Sequence, residues 1–600
     1  MEQYWDCSLC QIEDKGRAPR CRTCSGRLRG RERLLWEIAA GSRVRKRAAV
    51  LSACAAGLGQ IYSRRVATGL VLASLIPLAV GLVSVTWSGF SYGHVFLAGS
   101  AIFVLVLAAL DARLGPTRPR APCQGACPAG VDIPDYLQLI GDGEVEQGYS
   151  LVRSKIPLVA VIGRICPHPC EVRCVRGIDG EPISINGCKR FLAERYREMV
   201  RNAAAAGSSR TVNIEGGELS VGVVGSGPAG IACAYYLSVL GARVTVYEAE
   251  PVIGGRLATT IPDFRLPPYI LEEEIEDLRD RGVVFREGVR VGPGGRSLSE
   301  LLREHRAIFL GVGAQESVKL DMPGAEALKD FQAVLRSAKR GTPALLGKRV
   351  AVVGGGNAAM DVARTALRLD AEEVHVLYRR SRDEMPARED EVEEAAREGV
   401  QFHFLSDPAA LGGNGAGSQR LVVNRMRLGE PDASGRRRPV AIPGEQWNLE
   451  VDAVVPALGQ TVGGEIFSDP ALGGLKRNAD GSLWVDARSQ RTSVAGVYAG
   501  GDAVSGPATA VQAMAQGRRA ALAIYGEHGV DELPTIRVED RRLRTPFPPH
   551  RETPQAKIRE EMPMLTVRAR KGNFREVEEG FRDASAAREA GRCLQCHREL

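Results

Sequence analysis

Excess charge is what most of this 600-residue chain lacks. Residues 1–65 hold 14 Lys and Arg against 6 Asp and Glu, while the remaining 535 hold 65 against 66. The net charge of +7 therefore belongs to one N-terminal segment. The neutral bulk offers no broad basic surface, which argues against nucleic acid as a partner. No secretory leader is expected either, because the first forty residues are polar and cysteine-bearing. The 14 cysteines are then read in a reducing compartment, where a disulfide framework fits poorly and metal ligation fits well. What remains is ordinary folded composition, 44% hydrophobic and 25% charged, with length for roughly four domains.

The charged segment leads into two apolar runs. Residues 66–86, "VATGLVLASLIPLAVGLVSVT", contain no charge and would span about 31 Å as a helix. Residues 94–110, "HVFLAGSAIFVLVLAAL", are 17 long, at the short end of a span. Eight Arg and Lys in residues 31–65 precede them, the intervening loop carries none, and Arg113, Arg118 and Arg120 follow. By the positive-inside rule this pattern predicts a membrane hairpin with both ends in the cytoplasm.

Cysteines fall in three groups. Cys7, Cys10, Cys21 and Cys24 form two CxxC knuckles able to hold a structural zinc, although a single iron ion would use the same ligands. "PCQGACPAG", "GRICPHPCEVRC" and "SINGCKRF" supply Cys123, Cys127, Cys166, Cys170, Cys174 and Cys188. Two of these precede proline, a habit of iron–sulfur ligands. "RCLQC" near the end adds Cys593 and Cys596, making eight, enough for two four-ligand clusters.

Two strand–turn–helix patterns follow. "LSVGVVGSGPAGIACAYYLSVLGARVTVYEAE" runs through Gly225, Gly227 and Gly230 to Glu248, 23 residues beyond the first glycine. Such glycines admit a pyrophosphate to a helix N-terminus, and the acid is placed for ribose hydroxyls. "GKRVAVVGGGNAAMDVARTALRLDAEEVHVLYRR" repeats the turn with Gly354 and Gly356, but its second strand ends in Arg379 and Arg380. Guanidinium groups there suit a 2′-phosphate, so FAD is expected in the first fold and NADPH in the second. Gly501 and Asp502, on a strand end leading to a helix, suit ribityl hydroxyls.

Residues 120–530 resemble the small subunit of NADPH-dependent glutamate synthase and its relatives, including the N-terminal half of dihydropyrimidine dehydrogenase. The motifs are "GRICPHPCEVRC", "EPISINGCKRF", "VVGSGPAG", "PVIGGRLATTIPDFRLP", "VVGGGNAAMD", "LYRRSRDEMPA" and "GVYAGGDA". The resemblance implies an α/β protein with tandem Rossmann-like FAD and NAD(P) domains, the second inserted in the first. An α-helical domain with two 4Fe–4S clusters precedes them. It implies flavin contacts from Gly225, Gly227, Glu248, Gly255, Arg256, Leu257 and Asp502, and NADPH contacts from Asn357, Arg379 and Arg380. Where the family opens its cluster domain with "RCxxC", this chain reads "LGPTRPRA" and carries the element at its end. The resemblance then gives Cys123, Cys174, Cys593 and Cys596 to one cluster, and Cys127, Cys166 and Cys170 to the other, with Cys188 as an optional fourth ligand.

The expected domains are a zinc-ribbon-like module (1–30), a basic juxtamembrane segment (31–65) and a transmembrane hairpin (66–112). A helical 4Fe–4S domain (116–210), an FAD domain in two parts (211–335 and 486–530), an NADPH domain (336–485) and a cysteine-bearing tail (531–600) complete the chain. The expected function is a multi-pass oxidoreductase of the cell (inner) membrane with its catalytic domains in the cytoplasm. It would pass electrons from NADPH through FAD and the clusters to an acceptor protein or large synthase-type subunit. No catalytic side chain is named, because hydride transfer to flavin needs orientation rather than an acid or base. Cys233, alone in a helix, gives a disulfide-reductase reading little support. The other class of function is a redox-sensing scaffold that keeps the fold and signals through its N-terminal segments.

Overall fold

The computed structural model describes residues 121–205, 217–342, 344–413, 419–431, 436–463, 465–528 and 558–596, with two-residue strands at 5–6, 13–14, 212–213 and 537–538. The chain divides into two compact units, Met1–Ala121 with Gln595–Leu600, and Pro122–Leu594. In the first, Trp5–Asp6 pairs antiparallel with Glu13–Asp14. Cys7, Cys10, Cys21 and Cys24, and the apolar runs 66–86 and 94–110, lie outside the described residues.

The expected localisation is corrected. Among the described residues no helix is long and apolar enough to cross a membrane. The longest of them, Ile185–Ala205 with 21 residues, has the length but carries Lys189, Arg190, Glu194, Arg195, Arg197, Glu198 and Arg201. The multi-pass localisation therefore does not stand, and the hairpin and the membrane as a partner gain no support from the described residues.

The second unit opens with helices α1 (Ile133–Gly141), α2 (Val145–Arg153), α3 (Val159–Ile165) and α4 (Ile185–Ala205). Ile140, Val152, Leu158, Ile162 and Leu192 are fully buried between them, and the Tyr149 and Tyr196 rings stack at 3.9 Å. A five-stranded parallel sheet follows, from β1 (Ser220–Val224), β2 (Arg243–Tyr247), β3 (Val284–Arg286) and β4 (Ala307–Leu310). Between these strands run α5 (Pro228–Val239) and α6 (Pro268–Asp280). The valine-rich β1 and the fully buried β4 are central strands, as covering a parallel sheet on both faces requires.

After β4 the chain builds a second parallel sheet from β5 (Arg349–Val353), β6 (Glu373–Tyr378) and β7 (Gln401–Phe404). Helices α7 (Asn357–Arg368) and α8 (Glu389–Glu398) pack against each other beside it. Strands β8 (Ser406–Gly413), β9 (Gln419–Pro431) and β10 (Arg437–Val451) then form an antiparallel sheet before β11 (Ala453–Pro456) completes the second one. The chain returns through β12 (Val497–Ala499) and α9 (Ala510–His528). Spatial order is β12-β4-β1-β2-β3 in the first sheet and β7-β6-β5-β11 in the second. Leu472 and Leu483 share a core with Leu310 and Val497. The return to the first sheet's core thus falls before residue 485, the boundary expected from the sequence.

Residues 558–594 form a strap across this unit. Val577 N–H donates to the Phe264 carbonyl at 3.0 Å, Arg570 meets Glu398 at 3.1 Å, and Glu576 meets Arg164 at 2.6 Å and Arg190 at 2.8 Å. The strap ends in α10 (Asp583–Gly591), which sits against α1 and α4. The sequence suggests Asp583 as the N-cap of this helix. Arg582 holds that place and Asp583 opens the first turn, where its charge still suits the helix dipole.

Glu274 on α6 joins the flavin-type fold to the helical domain. Its carboxylate accepts from Ala160 N–H at 2.9 Å and Val161 N–H at 3.2 Å, capping the helix that ends at Cys166. Burial pushes this carboxyl up to about 7, against the pull of the two amides and of Arg153. Its unfolded value is about 4.3, so the folded chain keeps a proton that the unfolded chain releases. Stability should therefore fall, on the order of 3 kcal/mol, as the pH rises from about 4.3 to about 7, and stay level above. Glu274→Gln should flatten that slope in melting temperatures taken across this range; an unchanged slope would refute the assignment.

Candidate functional site

The two glycine turns are built alike. Gly225 follows β1 with φ 93°, and a Cβ there would lie 2.6 Å from the Gly311 carbonyl beyond β4. Gly354 follows β5 with φ 140°, and its Cβ would lie 2.4 Å from the Ala457 carbonyl beyond β11. Each turn thus occupies the switch point of its sheet, where ligands of doubly wound folds bind. Gly227 and Gly356 differ from their neighbours. A Cβ on Gly227 would find nothing nearer than 3.9 Å, and one on Gly356 nothing within 4 Å. Each caps a helix, α5 or α7, whose first N–H groups lack intrahelical partners. The open faces fit a pyrophosphate drawn close to the backbone.

A cavity of about 670 Å³ takes in the first of these turns and the start of α7, although Gly354 and Gly356 do not line it. Gly225, Gly227, Glu248, Gly255, Arg256, Leu257, Gly501 and Asp502 line it from the first fold, and Asn357 and Asp361 from the second. Ile165 and Pro167, on either side of Cys166, close another wall. Gly230 does not line it, since it packs α5 on β1 with room for no side chain.

Glu248 is expected at ribose hydroxyls, but much of its carboxylate is spent on the turn. Oε2 accepts from Ser226 N–H at 2.9 Å and Ser226 Oγ at 2.6 Å, and Oε1 accepts from Glu250 N–H at 2.9 Å. Arg256 donates to Gln460 and to the Ala314 carbonyl. Burial lowers it to about 10 while Asp502 pulls it back up, so it stays cationic at neutral pH. Burial raises Asp502, whose Oδ1 accepts from Ala508 N–H at 3.1 Å. Gly501 takes φ 74°, and its N–H donates to Gln516 at 2.6 Å.

Arg379 and Arg380 part company at the end of β6. Arg379 is exposed, whereas Arg380 is buried and its Nε donates to the Arg437 carbonyl at 2.8 Å. Asn357 Oδ1 accepts from Arg388 N–H at 3.0 Å.

The thiols gather in the helical domain. Burial pushes the Tyr136 phenol up, and Cys170, Cys188, Cys127 and Cys123 around it push the same way. Burial raises Cys170, with Cys166 and Cys127 among its neighbours, and raises Cys188, with Cys593 among its own. Cys174 is half-buried, and two residues on Arg176 donates to the carbonyl of Arg592, next to Cys593. Among the described residues no three His, Cys, Asp or Glu side chains form a group that could hold a single metal ion. Soft sulfur donors in this number are the ligands that iron–sulfur clusters take. Cys593 belongs to the second unit and Cys596 to the first. Cys233 is fully buried in α5.

Residues 219–517 match a family model described as "Pyridine nucleotide-disulphide oxidoreductase". Residues 117–201 match one described as "Dihydroprymidine dehydrogenase domain II, 4Fe-4S cluster". The NADP(+)-dependent formate dehydrogenase subunit beta of Moorella thermoacetica is 40% identical over 80% of this chain and 71% of its own length. The chain belongs to the pyridine nucleotide-disulphide oxidoreductase family. It is an NADPH-dependent FAD and iron–sulfur oxidoreductase that transfers electrons, similar to the small chain of glutamate synthase. NADPH-Fe(3+) oxidoreductase subunit beta of Geobacter sulfurreducens is 38% identical over 80% of this chain and 75% of its own. The glutamate synthase [NADPH] small chain of Azospirillum brasilense is 34% identical over 67% and 85%.

Several residues lining the cavity have no role in the motif reading. Asp361 and Arg265 both stand inside quoted motifs, "NAAMD" and "DFRLP", and form an ion pair at 2.7 Å on the cavity wall. That signal was present. Arg388, which joins Asn357 to the cysteine-bearing turn, has no local signature.

The two kinds of glycine separate experimentally. A Cβ on Gly230 would lie 2.0 Å from the Gly225 carbonyl, so Gly230→Ala should prevent the turn from closing and yield protein with little bound flavin. Gly227→Ala should fold with an unchanged circular-dichroism melt. Equal folding and equal flavin content in the two variants would contradict this packing.

Proposed function

We propose that the chain carries electrons from NADPH through FAD and two 4Fe–4S clusters to a partner subunit. The observation that supports this most is the shared cavity, lined by both glycine-turn folds and by the neighbours of Cys166. Bound there, the nucleotides supply hydride transfer and the clusters supply single-electron transfer. The protein's part is to hold and align. The open faces at Gly227 and Gly356 admit phosphates to the N-termini of α5 and α7. Asp502 and the part of Glu248 facing the cavity accept from hydroxyls, with Gly255, Arg256 and Leu257 along the flavin. Asn357 meets the dinucleotide, and Arg379, exposed at the strand end, takes the 2′-phosphate. Arg380 supports that strand through the Arg437 carbonyl.

Cys127, Cys166 and Cys170 are assigned to one cluster, with Cys188 offered as its fourth ligand. Cys123, Cys174 and Cys593 are assigned to the other, with Cys596 added by its CxxC spacing. Cys7, Cys10, Cys21 and Cys24 are assigned to zinc on spacing alone. Relatives named as subunits, such as a formate dehydrogenase subunit beta and a glutamate synthase small chain, support a partner subunit as acceptor.

Anaerobic addition of NADPH should bleach the flavin rapidly and then reduce the clusters. A flavin that stays oxidised would favour a sensing scaffold instead. Arg379→Ala should weaken NADPH by about 1.5–3 kcal/mol and leave NADH nearly unchanged. Equal losses for the two nucleotides, measured by titration, would reject Arg379 as the phosphate ligand. Cys593→Ser should lower bound iron from about eight to about four per chain while FAD remains. An unchanged iron count would remove Cys593 from the cluster.

A further inference from the structure

Arg388 stands at the N-cap of α8 and faces two sites at once. Its main-chain N–H donates to Asn357 Oδ1 at 3.0 Å, and Asn357 lines the nucleotide cavity. Its guanidinium Nη1 donates to the carbonyl of Cys166 at 3.3 Å, across 222 residues of sequence. Its Nε donates to Asp390 Oδ1 at 2.9 Å, and Asp390 Oδ2 lies 3.8 Å from His168 Nε2. His168 Nδ1 in turn lies 3.3 Å from Glu171. One short stretch of the second nucleotide fold therefore grips the Cys166–Cys170 turn in two places.

We propose that Arg388 is a positioning residue that couples occupancy of the nucleotide site to the cluster held by Cys166. This rests on the cluster assignment above. The turn it grips is stiff: His168 takes φ 36° between Pro167 and Pro169, so the turn moves as a piece. The Arg388 side chain is only 13% exposed, so its charge is poorly screened by water. A cation hydrogen-bonded to the main chain of a ligand residue favours the cluster form that carries one more electron. A dinucleotide that draws on the Asn357 side chain shifts the main chain of Arg388, and with it the guanidinium at Cys166. Nucleotide binding then changes the ease of reducing that cluster. By linkage the reduced and oxidised chains bind the nucleotide with affinities that differ by the same factor.

The test uses the full chain loaded with FAD and clusters, with tetrahydro-NADP, which has no hydride to donate, as the probe. Reductive titration followed by electron paramagnetic resonance gives each cluster's midpoint potential with and without the probe. Cys166→Ser identifies which signal belongs to the Cys166 cluster. If that variant keeps every signal and all its iron, the ligand assignment itself has failed, and the coupling falls with it. With the assignment intact, the probe should shift the potential of that signal in the native chain. Arg388→Ala should keep the probe bound but lose the shift, and Arg388→Lys, which retains a charged donor, should recover part of it. A native chain with no shift, or a shift that survives unchanged in Arg388→Ala, overturns the proposal. If Arg388→Ala holds less iron, Arg388→Gln carries the comparison: a reduced shift supports the coupling, and a full one refutes it.

Discussion

Buried charge holds the parts of the cavity in one arrangement. Arg265, from the loop ahead of α6, meets Asp361 at 2.7 Å and Glu391 at 3.1 Å. Arg364 meets Glu391 at 2.7 Å and Glu398 at 2.8 Å, and Arg368 meets Glu398 at 2.6 Å. Arg570 of the strap meets Glu398 and Glu394. Four guanidinium groups thus balance four carboxylates, while the Phe264 ring lies 3.9 Å and 4.8 Å from the Arg368 and Arg364 centres. Although burial pushes Glu398 upwards, hydrogen bonds from Arg368 and Arg364 hold it down at about 2. Such a set adds little net stability over an apolar core, yet breaking one member costs about 3–5 kcal/mol. Its value lies in geometry. The second nucleotide fold cannot turn against the first without stranding a buried charge.

Both parallel sheets were legible because their cause is local. A valine-rich strand, glycines at fixed offsets and a helix state the fold within thirty residues, and the two repeats have the same construction at Gly225 and Gly354. The antiparallel sheet β8-β9-β10 went unread. β9 buries only Leu421, Val423 and Met426 and β10 only Val451, with a register shift between Asn424 and Met426, so no apolar run announces them. The same limit applies to Glu248 and Arg380. Residue type and position suggested ligand contacts, but hydrogen-bond partners decide what a side chain is free to do. Ser226 occupies one oxygen of Glu248, and the Arg437 carbonyl occupies one N–H of Arg380. Pairings such as Arg164 with Glu576, 412 residues apart, leave no trace in any sequence window.

The strap has a consequence for how the helical domain is made. Glu589 is fully buried, and it accepts from Ser184 N–H, 405 residues earlier in the chain. Until residues 576–591 have been made, α1 and α4 lack the helix that covers them, and Arg164 and Arg190 lack Glu576. At 5–20 residues per second, synthesis of that interval takes roughly 20–80 s. The segments that pack together here are thus made far apart in time, and the helical domain reaches its full core only when residues 576–591 join it.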